Sequence, residues 1–297
     1  MSSTRQNLEA IHRRMLTLGC MTLGLAFSGC GGGIKDDSNG ESERLICPRA
    51  CIPSSTLATD QMRPSFVVVS DGVRVQAQAG FSSGSDPRFN VEVDGSDSLR
   101  LATTQGVQGF HIPASSLSTI LVDALQTLVV GATAYLSEVP PSQGTAPVQF
   151  QFIRGGTVLV SSVALPAQYQ IANPPSGTTL PVSTRTLPIQ LTSAEAATVH
   201  SASLSCTDVN GNTASGAPLL SIVQNSQSRD STGISYALNI GEAIDNLAFS
   251  TTHPRGAVAR CDLGLKVIMQ AQGQPDLRFG NAQIFAQQIR SAALALR

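Results

Sequence analysis

Three short strings carry residue types that can do chemistry. Gly80-Phe81-Ser82-Ser83-Gly84 has the spacing of a nucleophile elbow, in which a sharp strand-to-helix turn exposes the central hydroxyl beside a general base. Cys47-Pro48-Arg49-Ala50-Cys51 sets two thiols three residues apart, and thiolates suit Cu(I). Asp208-Val209-Asn210-Gly211-Asn212 offers side-chain oxygens to a cation, although a calcium loop wants about six oxygens and a bidentate carboxylate further on. His111, His200 and His253, the histidines that would act as bases or ligands, are scattered, and no two share metal-ligand spacing. Asp94 and Asp97 flank a Gly-Ser turn.

Each string also has a plainer reading. Ser82 is followed by Ser85-Asp86-Pro87 and another extended run, so the sequence predicts a hairpin turn there instead of an elbow. The cysteine pair resembles the C-P-x-x-C copper motif of thioredoxin-like copper chaperones, but that motif needs a βαβ unit. Here a polar segment precedes it and Ile52-Pro53 follows, so a local disulfide is expected. Asn210-Gly211 after an alternating run is a hairpin signal, and no Glu follows nearby. Asp94 and Asp97 are expected to cap their own turn. The expectation is therefore a non-enzyme with no cofactor and no metal. The alternatives are a hydrolase using Ser82 or another loop hydroxyl, and a copper-binding protein using Cys47 and Cys51.

The first thirty residues carry a different signal. Arg5, His12, Arg13 and Arg14 form a basic head, and Met15 to Phe27 an apolar run too short to span a bilayer comfortably. Ser28-Gly29-Cys30 is a small-residue exit, followed by three glycines. The string Phe27-Ser28-Gly29-Cys30 resembles the lipobox of bacterial lipoproteins, with Phe27 in the place usually held by Leu. The resemblance implies that Cys30 receives diacylglyceryl, that residues 1–29 are removed, and that the new amine is acylated, with palmitate as a typical chain. Each buried methylene contributes about 0.8 kcal/mol, so two or three chains hold firmly where one does not. Gly31, not being Asp, implies sorting to the outer membrane. The partner so implied is membrane lipid through Cys30, with another envelope protein as a second candidate and no small-molecule ligand.

Charge excludes one large class of partner. The chain has 19 basic and 20 acidic side chains, and removing Arg5, Arg13, Arg14 and Glu9 with the signal leaves 16 and 19, a net charge of −3. Nucleic-acid binding wants a basic face, and Trp is absent with aromatics at 4%, so platforms for stacking bases are scarce. Of six cysteines, Cys20 leaves with the signal and Cys30 is the anchor. Cys47, Cys51, Cys206 and Cys261 then remain, an even number suited to an oxidising compartment. Three pairings are open; Cys47–Cys51 and Cys206–Cys261 are favoured, one local and one tying two strands of one domain.

These residues must be positioned by strands. Residues 30–63 are expected to be the lipidated cysteine and a flexible tether, because Lys35-Asp36-Asp37-Ser38-Asn39-Gly40-Glu41-Ser42 offers little to bury; only Leu45 to Pro53 is apolar enough to dock. From Phe66 the period is two: Val73 to Ala79, Phe89 to Val93, Leu99 to Leu101, Phe110 to Ile112, Val148 to Phe152 and Val158 to Leu165. Ser115 to Val130 suits a helix as well as a strand. Asn173-Pro174-Pro175-Ser176-Gly177 marks a boundary. A second series follows, at Leu187 to Leu191, Ala202 to Cys206, Leu219 to Val223, Ile234 to Ile240, Val258 and Leu263 to Val267. Residues 64–174 and 175–297 are thus expected to form two tandem β-sandwiches, an all-β protein. In the tail, Phe285, Ile289, Ala292 and Leu296 sit at helical spacing, yet a closing strand from about Gln283 is expected.

Asp71-Gly72-Val73-Arg74-Val75, Tyr135-Leu136, Phe150-Gln151-Phe152-Ile153-Arg154 and Val163-Ala164-Leu165-Pro166 are similar to immunoglobulin-like modules of bacterial envelope lipoproteins. Cys206 and Cys261-Asp262-Leu263-Gly264-Leu265 are similar to a Cys-tied partner module. This resemblance implies a fold and a location, and no activity.

Overall fold

The structure is a computed structural model and describes residues 51–84, 90–111, 135–140, 143–195, 197–249 and 256–297, all within the unit Ser42–Arg297. It is nearly all β, an open all-β sandwich architecture with several sheets and no barrel. The largest sheet runs in the order β14 (Thr213–Gly216), β13 (Val199–Asp208), β17 (Val258–Gln272), β18 (Gln283–Leu296), β2 (Met62–Ser70), β3 (Val75–Ser83), β7 (Tyr135–Val139). A short β11 (Thr179–Leu180) pairs with the end of β18. Two four-stranded sheets lie against it. One is β6 (Gly106–Gly109), β5 (Ser98–Thr103), β8 (Val148–Arg154), β9 (Thr157–Val163). The other is β10 (Ile171–Asn173), β12 (Thr186–Leu191), β16 (Gly233–Asn239), β15 (Ser228–Asp230). Among the described residues a single α-helix, α1 (Gly241–Asp245), interrupts the strands.

Strand identity follows from which faces are buried. In β13, His200, Ala202, Leu204 and Cys206 point into a core while Ser203 and Ser205 face water, the alternation of a half-buried strand. In β2, Phe66, Val67, Val68 and Val69 are all buried, because this strand lies inside the sheet with both faces covered. The tail is a strand, as expected. Its odd positions Phe285 and Ile289 pack on Val67 and Val69 on one face, and its even positions line the cores on the other.

Among the described residues two large hydrophobic cores result, beside the small cluster of Val67, Val69 and Phe285. The first joins Phe66, Val68, Ala77, Ala79, Ile284 and Ala286 to Leu101, Val148, Phe150 and Phe152. Its rings interlock: Phe66 stacks on Phe150 with centroids 4.6 Å apart and meets Phe81 edge-on at 5.7 Å. The second joins Leu204, Leu263, Leu265, Leu294 and Leu296 to Leu187, Ile189, Leu191, Tyr236 and Leu238.

Several expectations are revised. The large sheet crosses the boundary expected near residue 174, because Gln283–Gln288 of β18 pair in parallel with Ser65–Ser70 of β2. Val258 and Leu263 to Val267 belong to one 15-residue strand. Leu219 to Val223 makes only isolated bridges, Ser201–Leu219 and Ile222–Leu238. Residues 115–130, read as helix or strand, lie outside the described residues.

Candidate functional site

Cys30, Cys47 and His253 lie outside the described residues. Cys51 is disulfide-bonded, and Cys206 is bonded to Cys261 across directly paired strands β13 and β17. Both Cys206 and Cys261 are buried in the second core.

Ser82 stands within β3, paired with Arg63, so the string Gly80 to Gly84, expected to be a hairpin turn, is strand as far as Ser83, and residues 85–89 lie outside the described residues. Its hydroxyl faces the carbonyl of Arg63 at 3.5 Å, and among the described residues Ser82 sits at no strand-to-helix elbow. His111 makes a backbone bridge to Leu136 at the edge of β7. Asp208 receives N–H groups from Asn210, Asn212 and Gly256 and the Asn212 side-chain amide, at 2.8–2.9 Å. Burial would raise its pKa, yet these donors hold it down to about 2. Donors surround this carboxylate where a cation would need oxygens, so the loop is the hairpin turn that Asn-Gly announced. Among the described residues no group of three His, Cys, Asp or Glu side chains could hold a metal ion.

Two polar constellations do form, and neither was legible beforehand. In the first, residues 51–61, expected to belong to the tether with docking only as far as Pro53, are held beside the first core. β1 (Ile52–Pro53) pairs in parallel with β4 (Val91–Glu92). Ser54, fully buried, donates to Asp97 at 2.7 Å, with Asp94 at 3.1 Å, and the Ser55 amide donates to Asp94 at 2.9 Å. Arg154, at the end of β8, forks onto the Asp97 carboxylate and also donates to the carbonyls of Ser54 and Leu57 at 2.7 and 2.9 Å. Asp94 and Asp97 therefore reach across to this strap instead of capping their own turn. The amide of Ser55 is the main cause holding the Asp94 carboxyl below its usual range. Glycine is needed at position 280, where a Cβ would strike the carbonyl of Asp60 in the strap.

The second constellation lies where the two cores meet. The Tyr169 hydroxyl sits 2.6 Å from the carbonyl of Val267 and 3.1 Å from that of Gln288. Arg290 stacks its guanidinium over the same ring, and the Gln288 amide donates to Pro166 at 3.3 Å. Nearby in the second core, His200 Nε2 lies 2.7 Å from the Tyr236 hydroxyl, and both residues are under 5% exposed. Burial pushes His200 down to about 4 and pushes Tyr169 and Tyr236 up. His200 is thus buried in the second core against the Tyr236 hydroxyl. Sequence spacing gave no hint of these partners, because Tyr169 and Gln288 are 119 residues apart.

A shallow groove of about 800 Å³ runs over the outer face of β13, β17 and β18, lined by Ser203, Ser205, Gly264, Ala293, Ala295 and Asp262. A cleft of about 430 Å³ lies between Arg74, Gln108 and Glu138. Neither lining contains a histidine or cysteine. No helix among the described residues is long and apolar enough to cross a membrane.

Fold and site together define an all-β sandwich protein built around structural polar clusters. Comparison with known protein families and with curated proteins gives no match.

Proposed function

We propose that this protein is a lipid-anchored component of the bacterial envelope that acts without catalysis, as a spacer, binding or assembly module. Its two halves are read as immunoglobulin-like sandwiches carried on an acylated tether. The observation that carries the reading is Phe27-Ser28-Gly29-Cys30 at the exit of the apolar run Met15 to Phe27. Cys30 would hold the acyl chains, and the outer membrane is the proposed destination because Gly31 is not Asp.

Two further features support it. The disulfide between Cys206 and Cys261 suits an oxidising compartment. The strap at residues 51–61 gives a tethered body a firm first attachment, since tension on a preceding segment would meet the β1–β4 pair and the Arg154 fork before reaching either core.

The test is direct. In cells fed radiolabelled palmitate, the wild-type chain takes up label and its mature N-terminus is a modified Cys30 by mass spectrometry. Cys30→Ala loses both. Label persisting in Cys30→Ala, or an unmodified mature N-terminus elsewhere, removes the proposal.

A further inference from the structure

We infer that the two cores fold and open as one unit, because the last strand of the chain closes both of them. The even-numbered side chains of β18 divide between the cores. Ile284 and Ala286 enter the first, and Ala292, Leu294 and Leu296 enter the second. One edge of β18 pairs with β17 through Gln272–Phe285 at one end and Cys261–Leu296 at the other. Its other edge pairs with β2 at Gln283–Gln288 and with β11 at Ala295–Leu296.

Without β18, the first half would be left open on two counts. The N–H and C=O groups along one edge of β2 would lose their partners beside Phe66, Val67, Val68 and Val69, all buried. Phe279, just before β18, would also withdraw its ring from Phe66 and Phe152, 6.4 and 5.8 Å away. In the second half, β17 would lose the partner that carries Leu294 and Leu296.

The crossing between the halves is pinned as well. Chain leaving β9 passes over β18 through Leu165, Pro166 and Tyr169. Tyr169 and Pro166 bind the main chain of Gln288 and its side-chain amide, and Arg290 binds the Tyr169 carbonyl. Sandwiches joined only by a linker have no shared ladder and can open separately. Here the ladder of one strand runs through both.

The first half must therefore wait for a strand more than two hundred residues further on. On the envelope reading proposed above, late closure would keep the chain threadable during export. The coupling itself does not depend on that reading.

Hydrogen exchange followed by mass spectrometry on the full chain tests it. Phe150→Leu, in the first core, should lower protection of the most protected amides in β5 and β8 about tenfold. Coupling requires the same fold loss in β12 and β16 of the second core. A loss confined to β5 and β8 overturns the inference. Should Phe150→Leu fail to fold, Ile189→Val in the second core carries the test in reverse. Its loss of about threefold in β12 and β16 must then be matched in β5 and β8, and unchanged protection there overturns the inference equally.

Discussion

Arg290 holds its guanidinium 5.2 Å from the centre of the Tyr169 ring while its Nε donates to the Tyr169 carbonyl at 2.8 Å. One side chain of the closing strand thus grips the connecting segment by ring and backbone together, at the point where one core ends and the other begins. Burial lowers the Arg290 pKa from its ordinary value, while the ring face attracts its charge.

The Tyr169 hydroxyl is the part of this grip that one substitution removes cleanly. Tyr169→Phe keeps the ring under Arg290 but leaves the carbonyls of Val267 and Gln288 without that donor. The expected cost is about 1–2 kcal/mol, read as a lower urea midpoint with an unchanged m-value.

His200 makes stability depend on acid. Its folded pKa of about 4 lies below the unfolded value of roughly 6.5, so the folded state binds fewer protons between these limits. Its contribution is fully present above pH 6.5 and is lost as pH falls through 4, on the order of 3 kcal/mol in all. His200→Gln, which does not titrate, should flatten the fall of the urea midpoint across that window. Below it, Asp208 and Asp276, both held down to about 2, take over the acid sensitivity.

The Cys206–Cys261 bond closes a loop of 55 residues in the unfolded chain. Replacing both by Ala should cost on the order of 4 kcal/mol by the loop-entropy argument, measured by urea unfolding against the oxidised wild type. Peptide mapping without reductant should recover these two residues in one linked fragment.

Arg154→Gln tests the strap. It leaves Asp97, whose side chain is 3% exposed, buried without its cation, at an expected cost of about 3 kcal/mol. Limited proteolysis should then cut within residues 51–61 first, where the wild type resists.

Much of this architecture was readable in advance. Strands such as β8, β13 and β16 expose one face and bury the other, so their period of two survives in the sequence. β18 read ambiguously for a physical reason. Phe285 and Ile289 serve one buried face and Ala292 and Leu296 the other, so apolar residues fall at mixed spacings that imitate a helix. The Ser82 string misled as a turn because Gly80 and Ser83, typical of turns, here occupy a strand that runs beside β2. The apolar character of Leu45 to Pro53 pointed to docking of the strap's start, but its polar clasp was illegible because Ser54, Asp97 and Arg154 are 43 and 57 residues apart along the chain.

Composition and periodicity, which are local properties, were enough to establish an all-β chain and to mark turns such as Asn210-Gly211. Which strands share a sheet is a non-local matter. The parallel pairing of β18 with β2 depends on faces that become complementary only when Val67, Val69 and Phe285 are buried together. Folding alone made His200 a sealed structural residue and the Asp94–Asp97 turn a clasp, because burial and hydrogen-bond partners, and not residue type, decide what a polar side chain does.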